Sequence, residues 1–171
     1  DAAGREYIDG AAGLWCVNGG YNCGEIANAV TAQLRRVPYY CSFFNTTTEP
    51  AIRLAEKIAS LTPPGLKHVM FTNSGSEAND IAWRIATASS GHRGAIVTDH
   101  AYHGVTEAIA DLSPEEWPDD YRPAHVALIT PPGSGVAVET DVRRAIAELD
   151  GVAAMFLDCG MTSDGVWTPS S

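Results

Sequence analysis

From Glu49 onward, short and almost unbroken apolar runs alternate with amphipathic stretches, and this alternation constrains the fold more than any other feature of the chain. An apolar run without polar interruption suits a strand covered on both faces. Such strands pair in parallel and are joined by crossover helices. The pattern predicts strands at 68–72, 94–98, 125–129 and 152–157, helices at 50–61, 76–89 and 139–149, and a short helix near 105–112. Pro50 falls in the first turn of its helix, a favoured position, and Pro63-Pro64-Gly65 stops that helix. The Pro-bounded stretch from Pro114 to Pro123 reads as a surface excursion. The expected fold class is α/β, a layered αβα arrangement around a mostly parallel sheet. Ligands of such sheets bind at the carboxyl ends of the strands. Ser74, Gly75, Ser76, Tyr102, His103, Gly104 and Asp158 all fall at that edge.

Residues 1–48 are irregular and rich in glycine, so the chain divides into an amino-terminal segment, 1–48, and a regular part, 49–171. Tyr7–Gly10 reads as a short strand and turn, and Gly13–Val17 as a second extended piece. A helix is expected from Glu25 to Arg36, with Ile26, Val30 and Leu34 on one stripe. The helix at 50–61 should turn Ile52, Ala55, Ile58 and Ala59 inward. Val37–Phe44 is a loop dense in aromatic residues, either buried under other structure or covered by a partner subunit.

Composition narrows the class. Of 171 residues, 45% are hydrophobic and 19% charged, a balance that supports a packed core rather than disorder. A formal net charge of -10, with only 11 Lys and Arg, argues against nucleic acid or an anionic membrane as partner. No apolar run reaches the length of a membrane span, and Asp1–Arg5 lacks the regions of a signal peptide. Cys16, Cys23, Cys41 and Cys159 have no zinc-type spacing and read as reduced thiols of a cytoplasmic protein, with one disulfide left open. His100 and His103 lie close together without a third ligand, so no metal site is expected.

The stretch Val69–Asn79 carries the chemistry. It reads as a buried strand, a tight turn through Asn73, Ser74 and Gly75, and a helix. Gly75 lets the backbone turn sharply and approach a ligand. Ser76 is a good N-cap, and Glu77 places a carboxylate in the first turn. Free N–H groups there, with the hydroxyls of Ser74 and Ser76, suit a phosphate group. The same residues also fit an ordinary βα turn.

Four segments, in order, resemble the amino-terminal part of a class III aminotransferase, a pyridoxal-phosphate enzyme of fold type I. They are Gly13-Leu-Trp-Cys-Val-Asn18 with Gly20-Tyr21, Phe43-Phe-Asn-Thr-Thr-Thr-Glu-Pro50, Phe71-Thr-Asn-Ser-Gly-Ser-Glu-Ala-Asn79 and Tyr102-His-Gly-Val-Thr106. The first is most similar to the omega-transaminases that use pyruvate as amino acceptor. The resemblance implies an incomplete fold type I large domain over 49–171, preceded by a segment of the small domain over 1–48. It implies that pyridoxal 5'-phosphate is bound through Ser74, Gly75 and Ser76, with Tyr102 stacked on the pyridine ring and His103 and Asp158 beside it. Leu14 and Trp15 correspond to pocket-lining positions, and Phe43 to a residue that reaches the site of the opposite subunit, so a homodimer is implied. The substrates would be an amino donor and a 2-oxo acid.

The sequence also departs from the family pattern. Asp158-Cys159 stands where relatives carry Glu-Pro, and the shorter side chain leaves hydrogen bonds lost or water-mediated. Cys23-Gly24 replaces an Arg-Pro type pair. Ser163 occupies a position where relatives place a glutamate or a small residue, which leaves the substrate class open. The chemistry requires a lysine amine to hold the cofactor, yet the only lysines are Lys57, on the exposed side of a helix, and Lys67, before a strand. No catalytic residue is therefore expected in this chain, which reads as part of a longer enzyme. Three functions stay open: a transaminase, another reaction on the same scaffold such as racemisation or elimination, and a non-catalytic phosphate-binding module.

Overall fold

The structure is a computed structural model and describes residues 1–133, 137–160, 162 and 166. The chain forms two compact units, Asp1–Val69 and Met70–Ser171.

The second unit holds the sheet. It runs α4 (Gly75–Ser90), β1 (Gly94–Thr98), α5 (Glu107–Ala110), a 3-10 turn (Pro114–Glu116), β2 (Val126–Ile129), α6 (Val138–Glu148) and β3 (Val152–Phe156). The three strands are parallel in the order β2-β1-β3, so β1 is central. Ala95 pairs with Val126 on one side and with Ala154 on the other. Every residue of β1 is buried, which is why its sequence shows no alternation. Its side chains point to two cores. Ala95 and Val97 pack with Trp83 of α4, Ile109, Leu112 and Val126. Ile96 packs with Ala127, Ile129 and Ala145 of α6. Helices thus cover both faces of the sheet, as the alternation of the sequence requires. Trp83 anchors α4 to the sheet through Phe156, their ring centroids 6.2 Å apart.

On the other face, α6 is tied to the carboxyl end of β2. The Thr130 N–H donates to the Asp141 carboxylate at 2.6 Å, and Arg144 reaches the Leu128 carbonyl at 2.7 Å. That backbone bond, with Arg144 beside it, holds the Asp141 carboxyl below its ordinary range.

The strand expected at 68–72 joins no sheet among the described residues. A strand exists only with a ladder partner, and β1, β2 and β3 pair with one another alone. Met70 and Phe71 are accordingly exposed. The helix expected near 105–112 contracts to the single turn Glu107–Ala110, because Ser113 and Pro114 begin a new turn.

The first unit comprises α1 (Ala12–Trp15), α2 (Gly24–Arg36) and α3 (Glu49–Leu61). Glu49 bridges the two longer helices, accepting from Arg36 at 2.8 Å and pairing with Arg53 at 2.9 Å. The Arg36 guanidinium, more than Arg53, holds the Glu49 carboxyl below its usual range. The apolar stripe expected on α2 exists, but Ile26, Val30 and Leu34 are exposed, as is Ile52 of α3. The aromatic loop is exposed as well, with Phe43 72% and Phe44 92% accessible.

Near the amino terminus, Tyr7–Asp9 form no strand and lead into a turn at Gly10, and the extended piece expected at Gly13–Val17 is wound up instead. Asp9 is the cause. Its carboxylate accepts the N–H groups of Ala11 and Gly13 and the Tyr21 hydroxyl, at 3.0, 2.7 and 2.5 Å. This side chain draws residues 12–15 into a tight turn with positive φ at Ala12, Gly13, Leu14 and Trp15. Among the described residues no helix is long and apolar enough to cross a membrane.

Candidate functional site at the carboxyl edge of the sheet

The turn before α4 is built by its own side chains. Ser74 is extended, with φ -154° and ψ 162°, and its hydroxyl accepts the Glu77 N–H at 3.1 Å. Ser74 is therefore the N-cap, not Ser76 as the sequence suggested. The spacing explains the difference: Ser74 and Glu77 form a Ser-x-x-Glu capping pair, and the Glu77 carboxylate reaches back to the Asn73 N–H at 2.9 Å. Ser76 lies inside the first turn, half-buried, with its hydroxyl released from capping.

That release shapes the site. The Ser76 Oγ accepts the Val105 N–H at 3.1 Å, which leaves its own proton free to donate. The N–H groups of Gly75 and Ser76 have no acceptor among the described residues. Two orphan N–H groups and one hydroxyl proton thus lie in the first turn of a 16-residue helix, at its positive end. This donor set suits a dianionic phosphate. The residues present fit a phosphorylated cofactor.

The second part of the site is the segment leaving β1. Its backbone crosses the start of α4 at Gly104, where a Cβ would lie 2.6 Å from Ser76 Oγ and 2.8 Å from Ser76 Cα. Only glycine permits that approach, and its φ of 134° also excludes other residues. Tyr102, two residues earlier, is 43% exposed, while His103 is buried. The His103 ring lies 5.5 Å from Phe156, and its Nε2 has no partner among the described residues.

Burial, the larger cause, holds the His103 imidazole below its ordinary value of 6.5, against an opposing pull from the Asp158 carboxylate. His103 is therefore neutral near pH 7. The unfolded chain binds the His103 proton more readily than the folded chain does. Stability is accordingly complete above about pH 6.5 and is lost as pH falls from there toward the lowered folded-state value. The unfolding midpoint should drop between about pH 7 and pH 5, and should drop less in His103→Gln, which does not titrate. Equal pH slopes in the two proteins would remove His103 as the source.

Ser74, Gly75, Ser76, Tyr102, His103 and Asp158 all belong to the second unit. Gly104 and Val105 bring the Tyr102 segment onto the Ser76 turn, and Asp158 follows β3 within electrostatic reach of His103. Leu14, Trp15 and Phe43 belong to the first unit and are exposed. Leu14 and Trp15 sit in left-handed backbone, a strained conformation that clusters at functional sites. Ser163 lies outside the described residues. Two residues of the site escaped the sequence reading. Asn79 stood inside the quoted motif without a role, and Ser113 stood at the edge of what read as a surface excursion. Nothing in the local sequence distinguishes that serine, whose partners in the Tyr102 segment lie nine and ten residues away.

A sequence profile of the class-III aminotransferases matches residues 1–130, about three quarters of the chain. The chain belongs to the class-III aminotransferase family. Among curated relatives, the putrescine–pyruvate aminotransferase of Pseudomonas aeruginosa is 42% identical over 118 residues, covering 66% of this chain and 26% of that protein. This class-III chain thus spans about a quarter of the length of that relative. Among solved structures, the PMP-bound aminotransferase of Vibrio fluvialis superposes with a TM-score of 0.87 at 27% identity, covering 99% of this chain and 42% of the other. A phospholyase from Arthrobacter, solved in complex with phosphoethanolamine, superposes with a TM-score of 0.75 at 29% identity over 88% of this chain and 39% of its own.

Proposed function

We propose that this chain is the phosphate-gripping portion of a transaminase of fold type I that moves an amino group from an amine or amino acid to a 2-oxo acid such as pyruvate. One observation carries the reading. In a chain of the class-III family, the free N–H groups of Gly75 and Ser76 and the free Ser76 proton stand beside the docked Tyr102–Val105 segment. The cofactor of the family is pyridoxal 5'-phosphate. When bound, it supplies an electron sink for the pair released as the substrate's α-proton leaves.

The chain's own residues bind and orient. Gly75 and Ser76 hold the phosphate, and Tyr102 aligns the ring from one face. His103, neutral and buried, packs the floor against Phe156. Asp158 adds negative charge at the same edge. Leu14, Trp15, Phe43 and Ser163 are the substrate-side residues. The exposed Phe43 and Phe44 support a homodimer in which a second copy covers the aromatic loop. Lys57 and Lys67 are both exposed, on α3 and before residue 68, and neither is assigned the catalytic amine. The cytoplasm is the proposed location.

The phospholyase similarity favours one second reading, elimination from a phosphorylated amine on the same scaffold. Full-length protein carrying this chain, incubated with a diamine or ω-amino acid and pyruvate, is expected to form alanine in equal amounts to the oxo product. Phosphate release from phosphoethanolamine without need for pyruvate would favour elimination instead. Neither product would return the chain to a non-catalytic phosphate-binding role.

A further inference from the structure

We infer that Asn79 and Ser113 are positioning residues that set the direction of the Tyr102 ring, and so the alignment of the cofactor ring rather than the grip on its phosphate. This rests on the cofactor reading above. The Tyr102 side chain makes no hydrogen bond among the described residues and is half-exposed, so the direction in which its Cα–Cβ bond launches the ring rests on its backbone. That backbone is clamped at the next residue. The His103 N–H donates to the Ser113 Oγ at 3.0 Å, and the His103 carbonyl accepts from Asn79 Nδ2 at 2.7 Å.

Ser113 is fully buried, which excludes water as a substitute partner. Its single hydroxyl proton is directed at the Gly104 carbonyl, 3.0 Å away, or the Ile109 carbonyl, 2.9 Å away. The hydroxyl therefore links the segment that carries Tyr102 to the turn after α5. Asn79 stands one turn beyond Ser76 on α4, the helix whose first N–H groups face the phosphate. The phosphate grip and the ring-bearing loop are thus tied to one helix. A small loosening of such a supporting shell degrades alignment before it degrades binding of a remote group.

The test uses the full-length protein and two probes, pyridoxal phosphate and inorganic phosphate, the latter read by competition. Ser113→Ala is expected to weaken pyridoxal phosphate about fivefold or more and to diminish the induced circular dichroism of the bound chromophore at saturation, while inorganic phosphate affinity stays within about twofold. Asn79→Ala, which removes the other clamp from a less buried position, should give the same pattern. It keeps the test open if Ser113→Ala does not fold. Ser113→Cys, which retains a weak donor and acceptor, should recover part of the dichroism. Unchanged dichroism in both alanine variants, or equal weakening of both probes, overturns the inference and leaves the two residues with a merely structural role. A wild-type protein that binds neither probe defeats the cofactor reading itself, a distinguishable result.

Discussion

Gly104→Ala is expected to destabilise the sheet-bearing unit by about 2–5 kcal/mol, combining backbone strain with overpacking. The φ of 134° lies in a region that side-chain-bearing residues avoid. The added methyl would also meet three atoms of Ser76, its Oγ, Cα and Cβ, at 2.6, 2.8 and 2.9 Å. One of these is backbone of the first turn of α4, so relief requires the helix start to move. The same shift would break the Val105–Ser76 hydrogen bond and spread the Gly75 and Ser76 N–H groups. Loss of cofactor affinity should therefore accompany loss of stability. Denaturant unfolding of both proteins reads the first effect, and a cofactor titration reads the second. Adding Ser76→Gly removes two of the three clashing atoms and should restore only part of the stability, because the strain in φ remains. A change below about 0.5 kcal/mol, the range of an ordinary surface substitution, would contradict the close approach.

The elements most legible in the sequence were those whose stability is local or whose burial is symmetrical. The run at 94–98 became a fully buried central strand, and 76–89 a helix offset by a single residue at each end. The misreadings share a cause, which is that the deciding partner is distant or is a side chain. The apolar run at 68–72 looks like its neighbours, but a strand is made by its ladder, and no described strand accepts it. Residues 13–17 read as an extended piece, yet the Asp9 carboxylate captures three donors and winds the chain into a turn. Ser76 has the right chemistry for an N-cap. Ser74 outcompetes it because Glu77 is spaced to complete the capping pair with Ser74.

Ser74, Gly75 and Ser76 lie in one contiguous strand–turn–helix motif whose residue types themselves suggest a phosphate, whereas Tyr102 is singled out by the family resemblance. Asn79 and Ser113 act across 24 and ten residues of chain, through one amide and one buried hydroxyl. No local pattern announces such contacts. Leu14 and Trp15 are placed by family resemblance, and their left-handed backbone is the independent physical sign that the turn carrying them is held under strain.

The central claim is that the start of α4 grips the cofactor through its phosphate. Ser76 tests it because its hydroxyl makes two commitments at once. It accepts the Val105 N–H at 3.1 Å, and its proton remains free for an anion. Removing it costs one charge-assisted hydrogen bond, about 1–2 kcal/mol, or roughly tenfold in affinity. The decisive measurement is therefore the dissociation constant of the full-length protein and its Ser76→Ala variant for pyridoxal phosphate, set beside that for pyridoxal, which lacks the phosphate. Pyridoxal phosphate should bind the variant about tenfold more weakly while pyridoxal stays within about twofold. An unchanged constant for pyridoxal phosphate, or a parallel loss for both compounds, would show that the phosphate is held elsewhere.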